Sequence, residues 1–379
     1  MLDIKVIREN PDGVKELLLR KGADCCDEID RILALDSARR DIIARTESDR
    51  AEQNKVSRQI PVMKKAGEDT APVLSRMNTL KEDIRVMESQ LKTVEERYRT
   101  YMDALPNLPD DDLVPGDKEN NEPLRYFGEP KFFDFEPQHH VDLCTNLGLI
   151  DYERGTKLAG NGFWIYRGIG ARLEWALINY FIDTHLADGY ELVLVPHMLE
   201  EQCGYAAGQF PKFRDEVYHI ENPTDGRMHY MLPTAEAALV SLHRDEILTE
   251  AELPRRYISY TPCFRREAGS YRSDERGMVR GHQFNKVEMV AMTRPEDSDA
   301  MFEELVGKAE RLVSGLGFHF RTVKLAAGDC SSAMARTYDI EIQIPSMNGY
   351  KEISSVSNAR EYQARRGMIR FRREETGRI

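Results

Sequence analysis

The sequence lacks the cysteine patterns that are typical of disulfide-bonded or metal-binding folds. It also lacks a long apolar run. Its six cysteines are scattered, with no CxxC pair and no Cys/His cluster, so neither a disulfide framework nor a structural zinc site is indicated. Scattered thiols fit a reducing cytosol, and we expect a cytoplasmic protein. No apolar run approaches the roughly 20 residues needed to cross a bilayer, so no membrane partner is expected.

Familiar nucleotide-binding loops and a net positive charge are missing as well. There is no GxxxxGK[ST] phosphate loop and no GxGxxG fingerprint, and no cysteine or serine nucleophile has an evident base. The formal net charge of −12 argues against nonspecific coating of nucleic acid, although local patches decide contact with phosphates. The length of 379 residues suits two or three domains.

Residues 27–104 differ from the rest of the chain, because they are dense in charge and almost free of glycine and aromatic residues. Gly67 and Pro72 bracket a turn, and a patchy apolar series precedes it. After the turn, apolar residues alternate steps of four and three, which is the coiled-coil period. We therefore predict an antiparallel helical hairpin with this seam: Val73, Met77, Leu80, Ile84, Met87, Leu91, Val94, Tyr98 and Tyr101.

The first half of the predicted hairpin is basic. Residues 39–65 carry eight basic and four acidic side chains, a net charge of +4 on an otherwise acidic chain. This imbalance suggests a polyanion partner; the alternative is a solvated helix face with i,i+4 ion pairs. The side chains that we consider for such a contact are Arg39, Arg40, Arg45, Arg50, Lys55 and Arg58.

Residues 105–135 are predicted to be a linker, because they contain several prolines and an acidic run. The linker would separate an N-terminal domain, residues 1–104, from a second domain, residues 136–379. In the second domain short strands and dispersed helices, mostly without βαβ spacing, favour an antiparallel α+β fold.

Two strand-like runs, residues 257–267 and 281–292, flank a loop rich in glycine, serine and charged residues. Alternation along a strand would place Arg265 and Glu267 on one face, with Arg266 on the other. It would likewise place an aromatic ring and a carboxylate, those of Phe284 and Glu288, together on the second strand. Such a surface suits an anionic nucleotide; the alternative is an exposed sheet face with ordinary salt bridges.

Two short motifs add oxygen ligands. Thr234-Ala235-Glu236 stands at a predicted strand-to-helix junction, where a hydroxyl and a carboxylate can cradle an ammonium group; the alternative is a helix N-cap. Residues 352–355, with the sequence EISS, offer hard oxygen atoms suitable for magnesium held against phosphates; the alternative is a polar strand.

The combination of these motifs resembles the bacterial-type seryl-tRNA synthetases, which are class II aminoacyl-tRNA synthetases. The resemblance rests on TAE, on FRREAGS followed by RGMVRGHQFNKVE, on EISSVSNAREYQARR, and on the opening MLDIKVIRENPDGVK with its coiled-coil arm. It covers essentially the whole chain. Residues 170–196 are similar to class II motif 1, and residues 264–288 are similar to motif 2.

The resemblance implies an α+β fold with an antiparallel sheet flanked by helices and preceded by the coiled-coil arm. It implies a homodimer that makes seryl-adenylate from L-serine and ATP with Mg²⁺ and then transfers serine to tRNA(Ser), with tRNA(Sec) as an open second acceptor. The arm would grip the long variable arm of the tRNA, which assigns its basic residues to tRNA binding.

The resemblance also implies roles for individual residues. Thr234 and Glu236, with Ala235 between them, would hold the serine ammonium group, and Glu288 would bind the serine hydroxyl. Arg265 would bridge the α-phosphate and the serine carboxylate and is the expected catalytic residue. Glu267 would contact the adenine amino group, Phe284 would stack on the ring, and Glu352 and Ser355 would hold magnesium and phosphate. The full expected ATP-binding set is Arg265, Arg266, Glu267, Phe284, Glu352, Ile353, Ser354 and Ser355.

The sequence departs from this family at its end. Members continue past the ETG sequence into motif 3, a glycine-rich strand and helix with an arginine that faces ATP, whereas this sequence stops at Ile379. We therefore expect a catalytic domain that lacks motif 3, in a truncated form of the enzyme. The alternative is a truncated paralogue that binds tRNA or a protein partner without charging tRNA.

Overall fold

The computed structural model describes residues 1–267 and 277–379. The chain forms two compact units. The arm unit comprises residues 2–16 and 24–105, and the core unit comprises residue 1, residues 17–23 and residues 106–379. The helices are α1 (Ile4–Glu9), α2 (Pro11–Arg20), α3 (Cys26–Ala66), α4 (Ala71–Ala104), α5 (His140–Asn146), α6 (Tyr152–Ala159), α7 (Ile169–Ala187), α8 (Glu201–Ala206), α9 (Glu236–Val240), α10 (Ser298–Gly315) and α11 (Tyr362–Gly367).

The strands all belong to the core unit. They are β1 (Glu122–Phe127), β2 (Ile150–Asp151), β3 (Ile165–Tyr166), β4 (Glu191–Leu192), β5 (Met198–Glu200), β6 (His229–Met231), β7 (Ile247–Thr249), β8 (Arg255–Phe264), β9 (Gln283–Met292), β10 (Phe320–Lys324), β11 (Arg336–Ile344), β12 (Gly349–Asn358) and β13 (Arg370–Arg372). Among the described helices, none is long and apolar enough to cross a membrane.

The arm unit confirms the predicted helical hairpin. Helix α3 ends at Gly67, whose φ of 70° is the left-handed conformation typical of a C-terminal cap. Helix α4 begins four residues later, and the two helices pack along their length. Every one of the nine predicted seam residues is at least partly buried, whereas all residues between them are exposed. The 4–3 spacing therefore marks the contact surface of α4.

Polar residues interrupt the seam of α3, and the structure satisfies them locally. Thr46 is buried, and its hydroxyl donates a 2.8 Å hydrogen bond to the carbonyl oxygen of Ile42. The buried carboxylate of Asp36 accepts ion pairs from Arg8 at 3.4 Å and from Arg40 at 3.1 Å. A buried charge with cationic partners avoids most of the cost of desolvation, so the patchy half of the hairpin still packs.

The core unit contains two main sheets. Strands β1, β10, β11 and β12 form an antiparallel sheet in that order, and β4, β8 and β9 form a second sheet in which β8 and β9 are antiparallel. Helix α10 covers the first sheet, since Phe302 and Val306 pack with Phe320 and Ile340 in one buried cluster. The predominantly antiparallel α+β architecture agrees with the prediction, although β4 pairs with β8, and β13 with β7, in parallel.

The predicted linker is wrong as a description of residues 105–135. Glu122–Phe127 forms the edge strand β1, and its pairing with β10 is irregular between Pro123 and Arg125. Proline lacks an N–H, but an edge strand tolerates it at such an irregularity. The side-chain amide of Asn107 donates 2.9 Å hydrogen bonds to the carbonyl oxygens of Ala333 and Ala359, so the start of the segment is also fixed within the core unit.

A buried lysine explains why residues 17–23 belong to the core unit. Lys21 is 8 % exposed, and its ammonium group donates hydrogen bonds to the carbonyl oxygens of Asn107 and Met334, at 3.3 and 2.5 Å. Burial lowers its pKa to about 8. Backbone carbonyls thus solvate a cation that water cannot reach.

Several predicted elements differ in extent from the observed ones. The sequence pattern predicts helices over residues 139–147, 171–187 and 298–315, and the structure has helices over residues 140–146, 169–187 and 298–315. The sequence pattern also predicts a helix over residues 235–246, but the structure has only the short α9 there, followed by a single 3₁₀ turn. The strand predicted through residue 267 ends at Phe264, and Glu267 has a left-handed φ of 47°. The predicted loop between β8 and β9 falls largely on residues 268–276, outside the described residues.

Candidate active site

The β8–β9 hairpin carries the first part of the site. Its register places Glu288 opposite Ser259 and Lys286 opposite Thr261, on neighbouring rungs of one face. The backbone N–H of Phe264 donates to the carbonyl oxygen of Leu232 at 2.9 Å, which brings the residues after β6 beside the end of β8. The sequence-distant motifs around Thr234 and Glu288 therefore meet at this sheet.

Three polar side chains form a closed group there. The hydroxyl of Thr234 donates a 2.8 Å hydrogen bond to Oε2 of Glu288. The Nζ atom of Lys286 lies 2.6 Å from Oγ1 of Thr234 and 2.8 Å from the same Oε2 atom of Glu288. The predicted neighbours Thr234 and Glu288 are thus in direct contact, and Lys286, to which sequence reasoning gave no role, completes the group.

Glu236 adds a second carboxylate at the start of α9. Its Oε1 atom accepts a 2.6 Å hydrogen bond from Nε2 of Gln363, which also donates to the carbonyl oxygen of Ala207 at 3.0 Å. Burial, followed by the negative charge of Glu288, raises the pKa of Glu236 to about 7. The hydrogen bond from Gln363 opposes this rise, but the bond is neutral and supplies no charge.

Glu288 behaves in the opposite way. Burial alone would raise its pKa, but the charge of Lys286 and the hydrogen bonds from Lys286 and Thr234 outweigh burial, so the pKa lies below its usual value. Two carboxylates in one pocket therefore differ in ionisation because their partners differ. The pocket thus holds one carboxylate whose pKa is lowered and one whose pKa is raised to about 7.

Arg265 lies at the mouth of this group. Its Nε atom donates a weak 3.4 Å hydrogen bond to the carbonyl oxygen of Pro233, and its guanidinium carbon is 5.0 Å from the centroid of the Phe284 ring. That distance is within the range of a cation–π contact. The guanidinium side chain is exposed, so it remains available to an anionic ligand.

The two residues after Arg265 have other partners. Arg266 donates from Nη1 to the carbonyl oxygen of Asp215 at 2.7 Å, and Glu267 forms a 2.6 Å ion pair with Arg280. The prediction that Arg265 and Glu267 share a strand face rested on a strand through residue 267. Because β8 ends at Phe264, strand alternation does not set the direction of these side chains.

A separate cluster of oxygen atoms lies on β11 and β12. Ile353 forms a bulge, so Glu352 pairs with Glu341 and Ser355 pairs with Asp339. Residues three apart normally lie on opposite faces of a strand, and the bulge is what puts Glu352 and Ser355 on one face. Ser354, between the bulge and Ser355, pairs with Ile340. The EISS motif is thus a bulged strand rather than a regular one.

Asp339 belongs to this cluster, although sequence reasoning missed it. The hydroxyl of Ser355 donates a 2.7 Å hydrogen bond to Oδ1 of Asp339. Burial and the negative charge of Glu352 raise the pKa of Asp339 to about 8. The alternation of Asp339, Glu341 and Gln343 along a predicted strand was an available signal, since acidic residues rarely line a buried strand without a partner.

The basic residues of the arm unit fall into two groups. Arg39 and Arg40 contact Asp36, and Arg50 pairs with Glu88 on α4 at 2.5 Å. The exposed side chains of Arg45, Lys55 and Arg58 form no ion pair within the part of the chain that the structure describes. The second group therefore presents unneutralised charge to solvent.

Comparison with known proteins identifies both units. The profile of the tRNA synthetase class II core domain (G, H, P, S and T) matches residues 218–378, and that of the seryl-tRNA synthetase N-terminal domain matches residues 1–109. The serine–tRNA ligase 2 of Clostridium acetobutylicum is 55 % identical, and the alignment covers 100 % of this chain and 89 % of the relative. The serine–tRNA ligase of Thermodesulfovibrio yellowstonii is 43 % identical, with 99 % and 88 % covered.

Solved structures agree. The seryl-tRNA synthetase of Pyrococcus horikoshii, crystallised with ATP, superposes with a TM-score of 0.93 at 32 % identity, over 99 % of this chain and 88 % of that one. The cytoplasmic serine–tRNA ligase of Naegleria fowleri, in complex with AMP, gives 0.88 at 26 % identity, over 98 % and 88 %. The core unit thus has the fold of a class II aminoacyl-tRNA synthetase. Within that class, the chain belongs to the seryl-tRNA synthetase family.

Proposed function

We propose that this protein is a serine–tRNA ligase, which activates L-serine with ATP and transfers it to tRNA(Ser). The observation that carries the proposal is the group formed by Thr234, Lys286 and Glu288, with Glu236 and Arg265 beside it. Two carboxylates and a hydroxyl suit a small ligand with one ammonium group and one hydroxyl group. The relatives named serine–tRNA ligase and the ATP and AMP complexes of similar structures support the same activity.

The serine ammonium group would bind Glu236 and Thr234, because Glu288 pairs with Lys286 whereas Glu236 forms no ion pair with any residue that the structure describes. Glu288 would accept a hydrogen bond from the serine hydroxyl. Alanine would leave Glu288 without this donor, and an unmatched buried carboxylate is costly, so alanine should be rejected.

Arg265 would act on the reacting groups. In adenylation a serine carboxylate oxygen attacks the α-phosphorus of ATP, a P–O bond forms, and pyrophosphate leaves. Two anions must approach each other, so the site needs positive charge and alignment more than an acid–base pair. An exposed guanidinium between the serine pocket and Phe284 can hold a phosphate oxygen and the carboxylate at once. Phe284 and Glu267 would then contact the adenine, with Arg266 and the 352–355 segment completing the ATP site.

Magnesium would be held by Glu352 and Ser355, with Asp339 beside them. The fit rests on the bulge at Ile353, which puts Glu352 and Ser355 on one face beside Asp339, where the Ser355 hydroxyl donates a 2.7 Å hydrogen bond to Oδ1 of Asp339. Hard oxygen ligands of this kind suit Mg²⁺. The ion would neutralise phosphate charge, and Glu352 and Ser355 would fix its position.

The arm would bind the tRNA through the unpaired group Arg45, Lys55 and Arg58, with support from Arg39, Arg40 and Arg50.

A homodimer is also part of the proposal. Helix α7 exposes Ile169, Leu173 and Trp175 by more than half, which is the kind of apolar patch that a protein interface covers. Sedimentation at micromolar concentration should give twice the chain mass, and a monomer would contradict the dimer. As part of the same proposal, the enzyme works in the cytoplasm.

Aminoacylation tests the function directly. The protein should transfer labelled serine to tRNA(Ser) only when ATP is present. It should not transfer labelled alanine to the same tRNA. A protein that binds tRNA(Ser) but never charges it would contradict the proposal and support a non-charging paralogue.

A further inference from the structure

Lys286 holds a position in the pocket that the assigned roles leave unexplained. It lies two residues before Glu288 on β9, and its side chain is about a third exposed. Its ammonium group contacts Oγ1 of Thr234 and Oε2 of Glu288, which are two of the atoms that the proposed function gives to serine. A protein cation thus lies inside the site that is proposed to bind the ammonium group of serine.

The charges of the pocket explain what this cation does. Glu288 and Glu236 supply two negative charges, and Lys286 neutralises Glu288 at 2.8 Å. The side-chain contact of Glu236 is the neutral amide of Gln363. The charge of Arg265 lowers the pKa of both carboxylates, but its guanidinium contacts the Phe284 ring and the carbonyl oxygen of Pro233 rather than either carboxylate. When Glu236 is ionised, one net negative charge therefore remains for the ligand, and it lies on Glu236.

We propose that Lys286 is a specificity-determining residue, which neutralises Glu288 so that this carboxylate selects a neutral hydroxyl group rather than a second cation. The inference rests on the proposed function and deepens it. A carboxylate already paired with an ammonium group still has lone pairs for a hydroxyl donor, but it no longer favours a positive ligand. The ammonium group of Lys286 also repels a ligand that carries a positive charge at the position of the serine hydroxyl. This repulsion discriminates against such a ligand in favour of serine.

The discriminating ligand is L-2,3-diaminopropionate, which replaces the serine hydroxyl with an ammonium group of similar size. Calorimetry at pH 6, where both amino groups of diaminopropionate are largely protonated, would compare its affinity with that of serine; the protonation of Glu236 at this pH affects both ligands alike. Wild-type protein should prefer serine. In Lys286→Met the ratio of the diaminopropionate affinity to the serine affinity should rise by about tenfold or more. A unit charge in direct contact with a carboxylate typically shifts its pKa by about one unit or more, which corresponds to a tenfold change in an equilibrium constant. Lys286→Arg keeps the charge and should keep the preference for serine.

A double variant separates charge from packing. Lys286→Met combined with Glu288→Gln removes both charges and should cancel the gain for diaminopropionate. Lys324→Met, which removes a lysine from β10 that pairs with Glu122, is the matched control and should change nothing. If Lys286→Met fails to fold in a melting experiment, Lys286→Gln, alone and with Glu288→Gln, gives the same comparison with a polar side chain retained.

The outcomes are distinct. If Lys286→Met or Lys286→Gln weakens the binding of serine and of diaminopropionate equally, the ratio of the two affinities stays unchanged. That result would overturn the inference and leave Lys286 a packing residue. Tighter serine binding in either variant would also overturn it, because Lys286 would then compete with the substrate ammonium group. Wild-type protein that binds neither ligand would refute the proposed function itself, which is a different result from a wild type that binds serine and variants that keep its selectivity.

Discussion

The side-chain amide of Gln363 donates a 2.6 Å hydrogen bond to Oε1 of Glu236, although the two residues are 127 positions apart in the chain. A second hydrogen bond, to the carbonyl oxygen of Ala207, fixes the amide. Helix α11 therefore orients a carboxylate that lies at the start of α9. The orientation matters because, within the part of the chain that the structure describes, Glu236 forms no ion pair that would hold it.

Replacement of Gln363 by leucine should weaken serine binding selectively. Loss of a hydrogen bond to a charged group costs about 1.5–3 kcal/mol, so the KM for serine in ATP–pyrophosphate exchange should rise by about tenfold or more. The KM for ATP should stay the same. Gln138→Leu, at an exposed loop position, is the control. A parallel rise in both KM values would show a general loss of structure instead.

Serine affinity should depend on the ionisation of Glu236. Its pKa is raised to about 7, and an ammonium ligand requires the ionised form. Below pH 7 the affinity should fall by about tenfold for each pH unit, because binding must then release a proton. Calorimetry between pH 5.5 and 8 measures this slope. A flat profile would contradict the assigned role of Glu236.

The same raised pKa makes a prediction about stability. A carboxyl group whose folded-state pKa exceeds its unfolded value destabilises the fold progressively as pH rises from about 4 to about 7. Glu236→Gln removes this penalty, so without serine its melting temperature should exceed that of the wild type at pH 8. The difference should vanish near pH 4. A variant that is less stable at pH 8 would show that the charged form is favoured in the fold.

The hairpin offers a matched pair of leucines on α4. Leu80 is 1 % exposed in the seam, whereas Leu74 is 44 % exposed outside it. Leu80→Ala should destabilise the arm unit by about 2–5 kcal/mol, which is usual for a buried leucine, and Leu74→Ala by much less. Chemical denaturation followed by circular dichroism measures both. Equal effects would contradict the seam.

Charge reversal tests the arm as a tRNA-binding element. Arg45, Lys55 and Arg58 changed together to glutamate should weaken tRNA(Ser) binding strongly and reduce its dependence on salt, because fewer counterions are released. Serine-dependent exchange should be unaffected. Arg85→Glu on α4, where the arginine pairs with Glu82, is the control for charge alone. Deletion of residues 39–93 should likewise spare exchange and abolish serylation; equal serylation without the arm would refute its role.

Local periodicity made the arm predictable. A seam residue such as Ile84 is recognised from its neighbours three and four positions away, and no distant contact is needed to bury it. The strands β8 and β9 were predicted for the same reason, since alternation is a local property. The adjacency of Thr234 and Glu288 followed from a family resemblance, and the structure brings them into contact at 2.8 Å.

Long-range register made other features unpredictable. The bulge at Ile353 depends on how β12 pairs with β11, so the common face of Glu352 and Ser355 cannot be counted from spacing. The part played by Gln363 depends on α11 packing beside α9. Strand β1 was hidden because Pro123 argues against a strand, and only its place at a sheet edge makes it acceptable.

Serine and ATP are expected to react at Arg265, and ATP–pyrophosphate exchange measures that reaction directly. We expect exchange that requires serine, is negligible with alanine, and falls by a factor of about 100 or more in Arg265→Ala, the scale seen when a transition-state donor is removed. The control Arg85→Ala should retain full activity. Serine-dependent exchange that survives Arg265→Ala unchanged would contradict the catalytic role of Arg265.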